Sequence, residues 1–134
     1  MTEFQIIQVG ELDDYVGEED PGEMRGVARG LGSEQLAITH RVLPPGAGAL
    51  RGDRTIGHTH KTQEEIYYVI SGTLTMKIGD EEIEVDSRSA ALLPPPTPRS
   101  YANLGDEDVE FLIASVKADD IRSEVETQPD FWPS

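Results

Sequence analysis

The sequence predicts an all-β protein, built as a sandwich or barrel of short antiparallel strands. Short runs of alternating apolar and polar residues recur, turns rich in glycine and proline separate them, and no long segment keeps a helical period. Many short strands with almost no helix are typical of antiparallel sheets that pack face to face or close on themselves. The 134 residues match the common size of one domain, so we expect 1–134 to form a single domain.

The first half of the chain contains three predicted strands. Phe4–Val9 (FQIIQV) is the first, and the acidic, glycine-rich segment that follows is predicted as a loop to about Arg25. Leu36–Leu43 (LAITHRVL) alternates and ends at the run PPGAG, because proline cannot donate to a sheet ladder. Glu65–Ile70 (EIYYVI) has the strongest strand signal, since it is rich in β-branched and aromatic residues.

The second half contains a hairpin and three further strands. Thr73–Ile78 and Glu81–Asp86 lie on either side of Gly79-Asp80, a pair that favours a tight turn. Asp119–Val125 is predicted as a short helix with Asp119 as its cap. The remaining predicted strands are Ala90–Leu93, Arg99–Asn103 and Val109–Val116.

The charge and the residue composition exclude several kinds of partner. With 26 acidic and 11 basic residues, the net charge is −15, and this field repels the phosphates of nucleic acids and anionic lipid headgroups. We therefore expect neither nucleic acid nor a membrane as a partner. No apolar run is long enough to cross a bilayer and residues 1–10 do not form a signal segment, so we expect a cytoplasmic protein. Without cysteine, a metal site must use histidine and carboxylates.

Two of the three histidines lie one residue apart, at His58 and His60. Side chains two residues apart in a strand point to the same face, so both imidazoles would share one side. Glu65 opens the next predicted strand and can direct its carboxylate to the same point. Two imidazoles and one carboxylate form a ligand set that holds a divalent first-row metal ion and leaves positions open. The alternative is that His58 and His60 lie on a surface loop and Glu65 on a solvated edge.

Residues 52–72 (GDRTIGHTHKTQEEIYYVISG) resemble the first sequence motif of the cupin superfamily. Gly52, His58, His60, Glu65 and Gly72 match the spacing of that motif, and the likeness extends over roughly residues 36–116. The resemblance implies a double-stranded β-helix, or jelly-roll barrel, with a short C-terminal helix or tail added. It also implies a divalent ion of iron, manganese, nickel or zinc, held by His58, His60 and Glu65. It does not identify a reaction, because cupins include enzymes, storage proteins and binding modules.

The second cupin motif departs from the family pattern. Arg99 stands four residues before Asn103, where the family has a histidine ligand, and a guanidinium has no lone pair to give to a cation. Three outcomes stay open. The ion is held by the ligands of the first motif alone, or His40 reaches into the barrel as another imidazole, or the metal is lost and Arg99 pairs with Glu65 in a pocket for an organic anion.

The predicted substrate pocket consists of Arg99, His40, Tyr67 and Tyr101. An inward Arg99 would bind a carboxylate or enolate in two-point contact, and the phenols would add hydroxyl groups unless they serve only as barrel core. The expected function is a metal-dependent oxygenase or isomerase acting on a small polar or anionic molecule. The alternative is a non-catalytic module that binds or senses a small molecule, and a purely structural dimer would leave the paired histidines unexplained.

Two aromatic residues, Phe131 and Trp132, close the sequence in the segment QPDFWPS. Aromatic side chains at such a position pack either onto the parent domain or onto a second subunit. Together with the resemblance to cupins, they predict a homodimer.

Overall fold

Strands dominate the described part of the chain and form two antiparallel sheets. The structure is a computed structural model that describes residues 3–15, 22–48, 50–51 and 54–132. Its strands are β1 (Glu23–Gly26), β2 (Leu36–Leu43), β3 (Leu50–Arg51), β4 (Arg54–His60), β5 (Glu65–Ser71), β6 (Leu74–Ile78), β7 (Glu81–Val85), β8 (Ala90–Leu93), β9 (Arg99–Ala102), β10 (Val109–Val116) and β11 (Val125–Pro129). The first sheet has the order β1-β2-β10-β5-β8, and the second has the order β11-β4-β9-β6-β7, with β3 paired to β4.

The two sheets enclose an apolar core between their inner faces. In β5 the buried residues Glu65, Tyr67 and Val69 alternate with exposed ones, as expected for a strand with one packed face. The prediction of an all-β fold is therefore confirmed. The buried core consists of Leu43, Ala47, Tyr67, Val69, Leu74, Met76, Val85, Leu93, Val109 and Phe111.

Most of the predicted strands have the predicted bounds or differ by one or two residues. β2, β8 and β10 begin and end at the predicted residues, and β6 and β7 form the predicted hairpin around Gly79-Asp80. Gly72, which follows β5, has a φ of 81°, and a Cβ there would lie 2.5 Å from the carbonyl oxygen of Asp108. Glycine is therefore required at this position for both conformation and space.

The predicted strand Phe4–Val9 is wrong. Residues 3–8 form no strand, Val9–Glu11 is a short 3-10 helix, and the side chains of Phe4 and Ile6 are exposed. The edge of the first sheet is occupied by β1, which pairs with β2 and lies partly in the predicted loop. A strand needs a neighbour for its backbone hydrogen bonds, and among the described residues this segment pairs with no strand of either sheet although its pattern alternates.

The helices are short. They are α1 (Val27–Gly30) and α2 (Ile121–Glu124), so the helix predicted over Asp119–Val125 is reduced to a single turn. Its cap is Asp120, not Asp119, because the Asp120 carboxylate accepts a hydrogen bond from the backbone N–H of Arg122 at 3.1 Å. Within the described residues, neither helix has the length and apolar content needed to cross a bilayer.

The segment 125–132 forms a strand and an aromatic anchor on the second sheet. β11 pairs with β4 from Val125↔His60 to Pro129↔Ile56, a strand that the sequence did not predict. Trp132 is only 2% exposed, and its indole N–H donates to Glu82 at 3.3 Å. The Phe131 ring covers Gly57 and leaves no room there for a side chain. Both aromatic residues thus pack onto their own chain and give no support to a homodimer.

Replacing Trp132 by Ala is expected to lower the free energy of unfolding by about 3–5 kcal/mol, because a buried aromatic side chain leaves a cavity. Urea unfolding measures this change. The control is Phe4→Ala, which removes an exposed aromatic and should shift stability by less than about 0.5 kcal/mol. Equal, small effects of both substitutions would contradict the anchoring role of Trp132.

Candidate metal centre

The two sheets bring His58, His60 and Glu65 together on the inside of the barrel. His58 and His60 come from β4 in the second sheet, and Glu65 opens β5 in the first. The connection 61–64 between these strands therefore crosses from one sheet to the other. It is held by backbone hydrogen bonds from His60 to Pro95 at 2.9 Å and from Lys61 to Glu124 at 3.0 Å.

The three side chains converge on one oxygen of Glu65. Oε1 of Glu65 lies 3.3 Å from Nε2 of His60 and 3.9 Å from Nε2 of His58. The two imidazole rings meet edge to face with centroids 5.1 Å apart. One ligand atom from each residue lies within 4.8 Å of the other two, so a single ion can contact all three after small side-chain adjustments.

The condition of His60 fits a metal ligand. The ring is buried, and neither of its nitrogens has a hydrogen-bond partner among the described residues. Burial lowers the pKa of His60 below its usual value, and the attraction of Glu65 does not reverse this shift. The imidazole is therefore neutral at pH 7, and one ring nitrogen has a lone pair available. Buried polar atoms normally have a hydrogen-bond partner, so the ring nitrogens of His60 are unusual in this respect.

Glu65 is ionised in spite of its burial. Burial alone raises the pKa of a carboxylate, but His58, His60 and Arg99 together hold the pKa of Glu65 below its usual value. Nη1 of Arg99 donates to Oε1 of Glu65 at 3.0 Å, and the Tyr67 hydroxyl donates to the same oxygen at 3.3 Å. A carboxylate has about four lone-pair sites, so these donors leave room for a metal ion.

Arg99 faces inward, as the sequence analysis expected, but it does not contact the cavity. Its side chain is fully buried, and Nη2 donates to the backbone carbonyl groups of Pro94 and Pro95. With Nη1 held by Glu65, the guanidinium binds protein groups instead of facing the space open to a ligand. The expectation that Arg99 anchors a substrate anion is therefore corrected: Arg99 is a partner of Glu65.

His40 lies on the outer face of the first sheet. In β2 the inward residues are Arg41 and Leu43, which are buried, so His40 points away from the barrel. Its Nε2 is 2.7 Å from the carboxylate of Glu110 on the neighbouring strand β10. The expectation that His40 lines the pocket is corrected, because the apolar neighbours Ile38 and Val42 belong to an outer apolar surface and not to the core.

A cavity of about 380 Å³ lies beside the three candidate ligands. Besides these ligands, its described wall consists of aliphatic side chains, the phenols of Tyr67 and Tyr101, and the threonines Thr39 and Thr127. The structure thus places both predicted tyrosines at the pocket. Burial raises the pKa of Tyr67 well above its usual value, so its hydroxyl stays protonated.

Tyr101 is oriented by a buried arginine that the sequence analysis did not select. Nη1 of Arg41 donates to the Tyr101 hydroxyl at 2.7 Å, and its guanidinium carbon lies 5.5 Å from the centroid of the Tyr101 ring. Because the oxygen accepts from Arg41, the hydroxyl proton of Tyr101 can point elsewhere. Arg41 could have been predicted as an inward residue if the face of β2 opposite His40 had been assigned to the core.

Glu124 is a second residue that sequence reasoning missed. It is buried behind His60, with Oε1 3.7 Å from Nδ1 of the ring. Its carboxylate accepts hydrogen bonds from the N–H groups of Thr62 and Gln63, at 2.8 and 2.6 Å, and from the Thr62 hydroxyl at 2.9 Å. Burial raises the pKa of Glu124, but these bonds outweigh it and lower the pKa below its usual value. No sequence signal marks Glu124, because it lies some sixty residues from its partners.

Comparisons with known proteins identify relatives of this chain. A curated relative, uncharacterized protein MJ1618 of Methanocaldococcus jannaschii, is 36% identical over 64 residues, which are 48% of this chain and 51% of the relative. The chain thus spans about half the length of this relative.

Two solved structures show the same fold over nearly the whole chain. A cupin protein from Bacteroides fragilis superposes with a TM-score of 0.66 and 26% identity, covering 90% of both chains. A sugar phosphate isomerase of the cupin superfamily from Silicibacter pomeroyi has a TM-score of 0.72 at 17% identity, covering 94% of this chain and 93% of that one. At 17% identity, the second match supports the fold and nothing more specific.

The resemblance of the first motif to cupins is confirmed by a family model. The model described as "Cupin domain" matches residues 40–115, a range that contains the candidate ligands and most of both sheets. Of the motif residues, Gly52 lies outside the described part of the structure, and the other four occupy the inner strands and the turn after β5. The fold is a double-stranded β-helix, and the chain belongs to the cupin family.

Proposed function

We propose that this cupin binds a divalent first-row metal ion through His58, His60 and Glu65 and acts there on a small molecule held in the adjoining cavity. The observation that carries the proposal is the convergence of three ligand atoms, from two sheets, at the wall of that cavity. The buried and unpartnered Nε2 of His60 supports it, because a metal ion would supply the partner that the described residues do not.

The surrounding residues favour protonation states in which the three candidate ligands can bind a cation. His58 and Arg99 hold the pKa of Glu65 below its usual value, and burial lowers the pKa of His60. The Glu124 carboxylate lies behind His60, with Oε1 3.7 Å from Nδ1, and its negative charge favours a proton on that nitrogen and so leaves the Nε2 lone pair for a cation. A metal ion bound there would supply Lewis acidity and open positions for an oxygen-containing ligand.

The described cavity wall argues against an isomerase that works by proton transfer. An isomerase needs a group that removes and returns a proton, usually a carboxylate or an imidazole. Once His58, His60 and Glu65 serve as ligands, the described cavity wall offers only the phenols of Tyr67 and Tyr101, and Tyr67 keeps its proton. Tyr101 and the threonines are suited to hydrogen bonds with the molecule, and the aliphatic side chains to contacts with an apolar part.

The metal assignment is tested by elemental analysis and by titration of Mn²⁺ or Ni²⁺ into metal-free protein. We expect a stoichiometric ion in the wild type, and an affinity at least about tenfold lower in His58→Ala and in Glu65→Ala, because each removes a direct ligand. His40→Ala is the matched control, since it removes a histidine on the outer face and should leave the affinity unchanged. Metal content that is equal in all four proteins would rule out the site.

A second candidate function is favoured by the pairing of Arg99 with Glu65. This buried ion pair satisfies Glu65 without a metal ion, at 3.0 Å and with the guanidinium fully enclosed. In that case the protein is a metal-free module that binds a small molecule in the same cavity. The anion-anchoring role of Arg99 does not carry over, because Arg99 does not reach the cavity wall.

The strength of this ion pair is open to measurement in the metal-free protein. Arg99→Met is expected to lower the free energy of unfolding by about 3–5 kcal/mol, because it leaves the buried Glu65 carboxylate without its cation. Urea unfolding at neutral pH measures the loss. The exposed Arg122 serves as control, and Arg122→Met should change stability by less than about 0.5 kcal/mol. A loss below about 1 kcal/mol for Arg99→Met would contradict a dependence of Glu65 on this arginine.

A further inference from the structure

The segment 121–132 lies along the strand that carries both imidazoles. Its strand β11 pairs with β4, where Val125 lies opposite His60 and Thr127 lies opposite His58. Paired residues of an antiparallel ladder point to the same face, so Val125 and Thr127 flank the two imidazoles at the cavity wall. The segment therefore borders the candidate metal centre although it contributes none of the three candidate ligands.

The other neighbouring strands hold β4 at few points. Within the described residues, β9 pairs with β4 only at His58↔Arg99, and β3 pairs only with the first two residues of β4. The hydroxyl of Ser100 adds one hydrogen bond to the carbonyl oxygen of Ile56 at 2.8 Å. The strand β11 thus supplies most of the ladder beside the two imidazoles.

Glu124 joins the same segment to the turn after β4. Its carboxylate accepts hydrogen bonds from the N–H groups of Thr62 and Gln63, and its backbone carbonyl accepts one from the N–H of Lys61 at 3.0 Å. One residue therefore satisfies three consecutive N–H groups of the connection 61–64, which leads from the imidazoles to the third ligand. An N–H group without an acceptor is costly in a buried place, and Gln63 is only 5% exposed, so the shape of this connection depends on Glu124.

A second attachment lies at the other end of the segment. Trp132 is buried, and its indole N–H bonds to Glu82 on β7. The Phe131 ring covers Gly57 of β4. Between these anchors and Glu124, β11 is mostly exposed, forms an edge of the second sheet and adds no residue to the buried core. An edge strand with so little buried surface separates locally more easily than the whole barrel unfolds.

We propose, on the basis of the metal site inferred above, that docking of the segment 121–132 and binding of the metal ion stabilise each other, with Glu124 as the positioning residue that couples them. With the segment docked, β4 and the connection 61–64 hold the imidazoles and Glu65 together, and the ion binds this arrangement. With the segment detached, these side chains lose the ladder and the acceptors that hold them, so the ion binds more weakly. A ligand that prefers one of two states stabilises that state, and the ion therefore holds the segment in place.

The coupling has a consequence for the cavity. Val125 and Thr127 form part of its wall, so detachment of the segment opens the cavity as well as weakening the metal site. A bound ion and a complete cavity wall are thus expected to occur together.

The first test is calorimetric titration of Ni²⁺ into the metal-free full chain. Glu124→Gln preserves the size of the side chain but removes its charge and one acceptor, and we expect an affinity about tenfold lower than that of the wild type. Trp132→Ala removes the remote anchor and is also expected to lower the affinity, because it weakens docking without touching a ligand. Glu126→Gln is the matched control, since Glu126 is exposed on β11 between the two attachments and should leave the affinity unchanged.

The second test measures docking itself, by hydrogen exchange with mass spectrometry in the presence and absence of saturating Ni²⁺. In the wild type, we expect the ion to slow exchange of the β11 amides about fivefold or more, and in Glu124→Gln we expect a smaller effect. The internal control is β7, the opposite edge of the same sheet, whose ladder partner β6 carries no ligand. Its exchange should be the same with and without the ion.

The outcomes separate this coupling from the metal site itself. Weaker binding in both Glu124→Gln and Trp132→Ala, with slower exchange confined to β11 and the connection 61–64, supports the coupling. If the wild type binds no ion, the metal site is wrong and the coupling falls with it.

Three results overturn the coupling while leaving the metal site intact. The first is wild-type affinity in both variants. The second is weaker binding in Glu124→Gln alone, because Glu124 would then act on His60 without the rest of the segment. The third is equal slowing of exchange in β7 and β11, because the ion would then stabilise the fold as a whole. Trp132→Leu replaces Trp132→Ala if that variant fails to fold.

Discussion

The buried contact between Arg99 and Glu65 is the interaction on which the inside of this barrel depends. A carboxylate in this position is costly to bury unless a cation accompanies it. The guanidinium provides that cation, and it also ties the turn at Pro94 and Pro95 to the start of β5. His58 and His60 then face an oxygen that is ionised and fixed in position. A substitution that removes a typical cupin ligand thus introduces a structural support for one of the ligands that remain.

Glu124 performs a related task from the opposite side of the site. It accepts two backbone N–H groups of the connection 61–64 and lies behind His60, so it stabilises the turn between the imidazoles and the carboxylate. It belongs to the segment 121–132, which lies outside the residues matched by the cupin model. The barrel thus contains the ligands, while an added segment orients one of them and supplies part of the cavity wall through Val125 and Thr127.

The pattern of residues along the chain was enough to predict most of the strands and the three candidate ligands. β2, β8 and β10 could be predicted because each is a run rich in apolar residues, and His58 and His60 could be placed together because strand geometry puts them on one side. Phe4–Val9 has a strand-like pattern but pairs with neither sheet, whereas β11 is a strand because it pairs with β4. His40 was assigned to the wrong face for a related reason: both faces of β2 carry apolar residues, so hydrophobicity alone could not identify the inner one. The roles of Arg99 and Glu124 depend on contacts across the fold, which spacing along the chain does not report.

The position of β11 has a consequence for how ligand preference can diversify in this protein. Val125 and Thr127 form part of the cavity wall, yet their strand contributes no core residue and no candidate ligand. Changes in these two side chains would reshape the space offered to a bound molecule while the barrel and its ionised centre stay intact. Part of the surface that a bound molecule meets therefore lies on a strand without candidate ligands, and selection can alter that part without replacing a ligand.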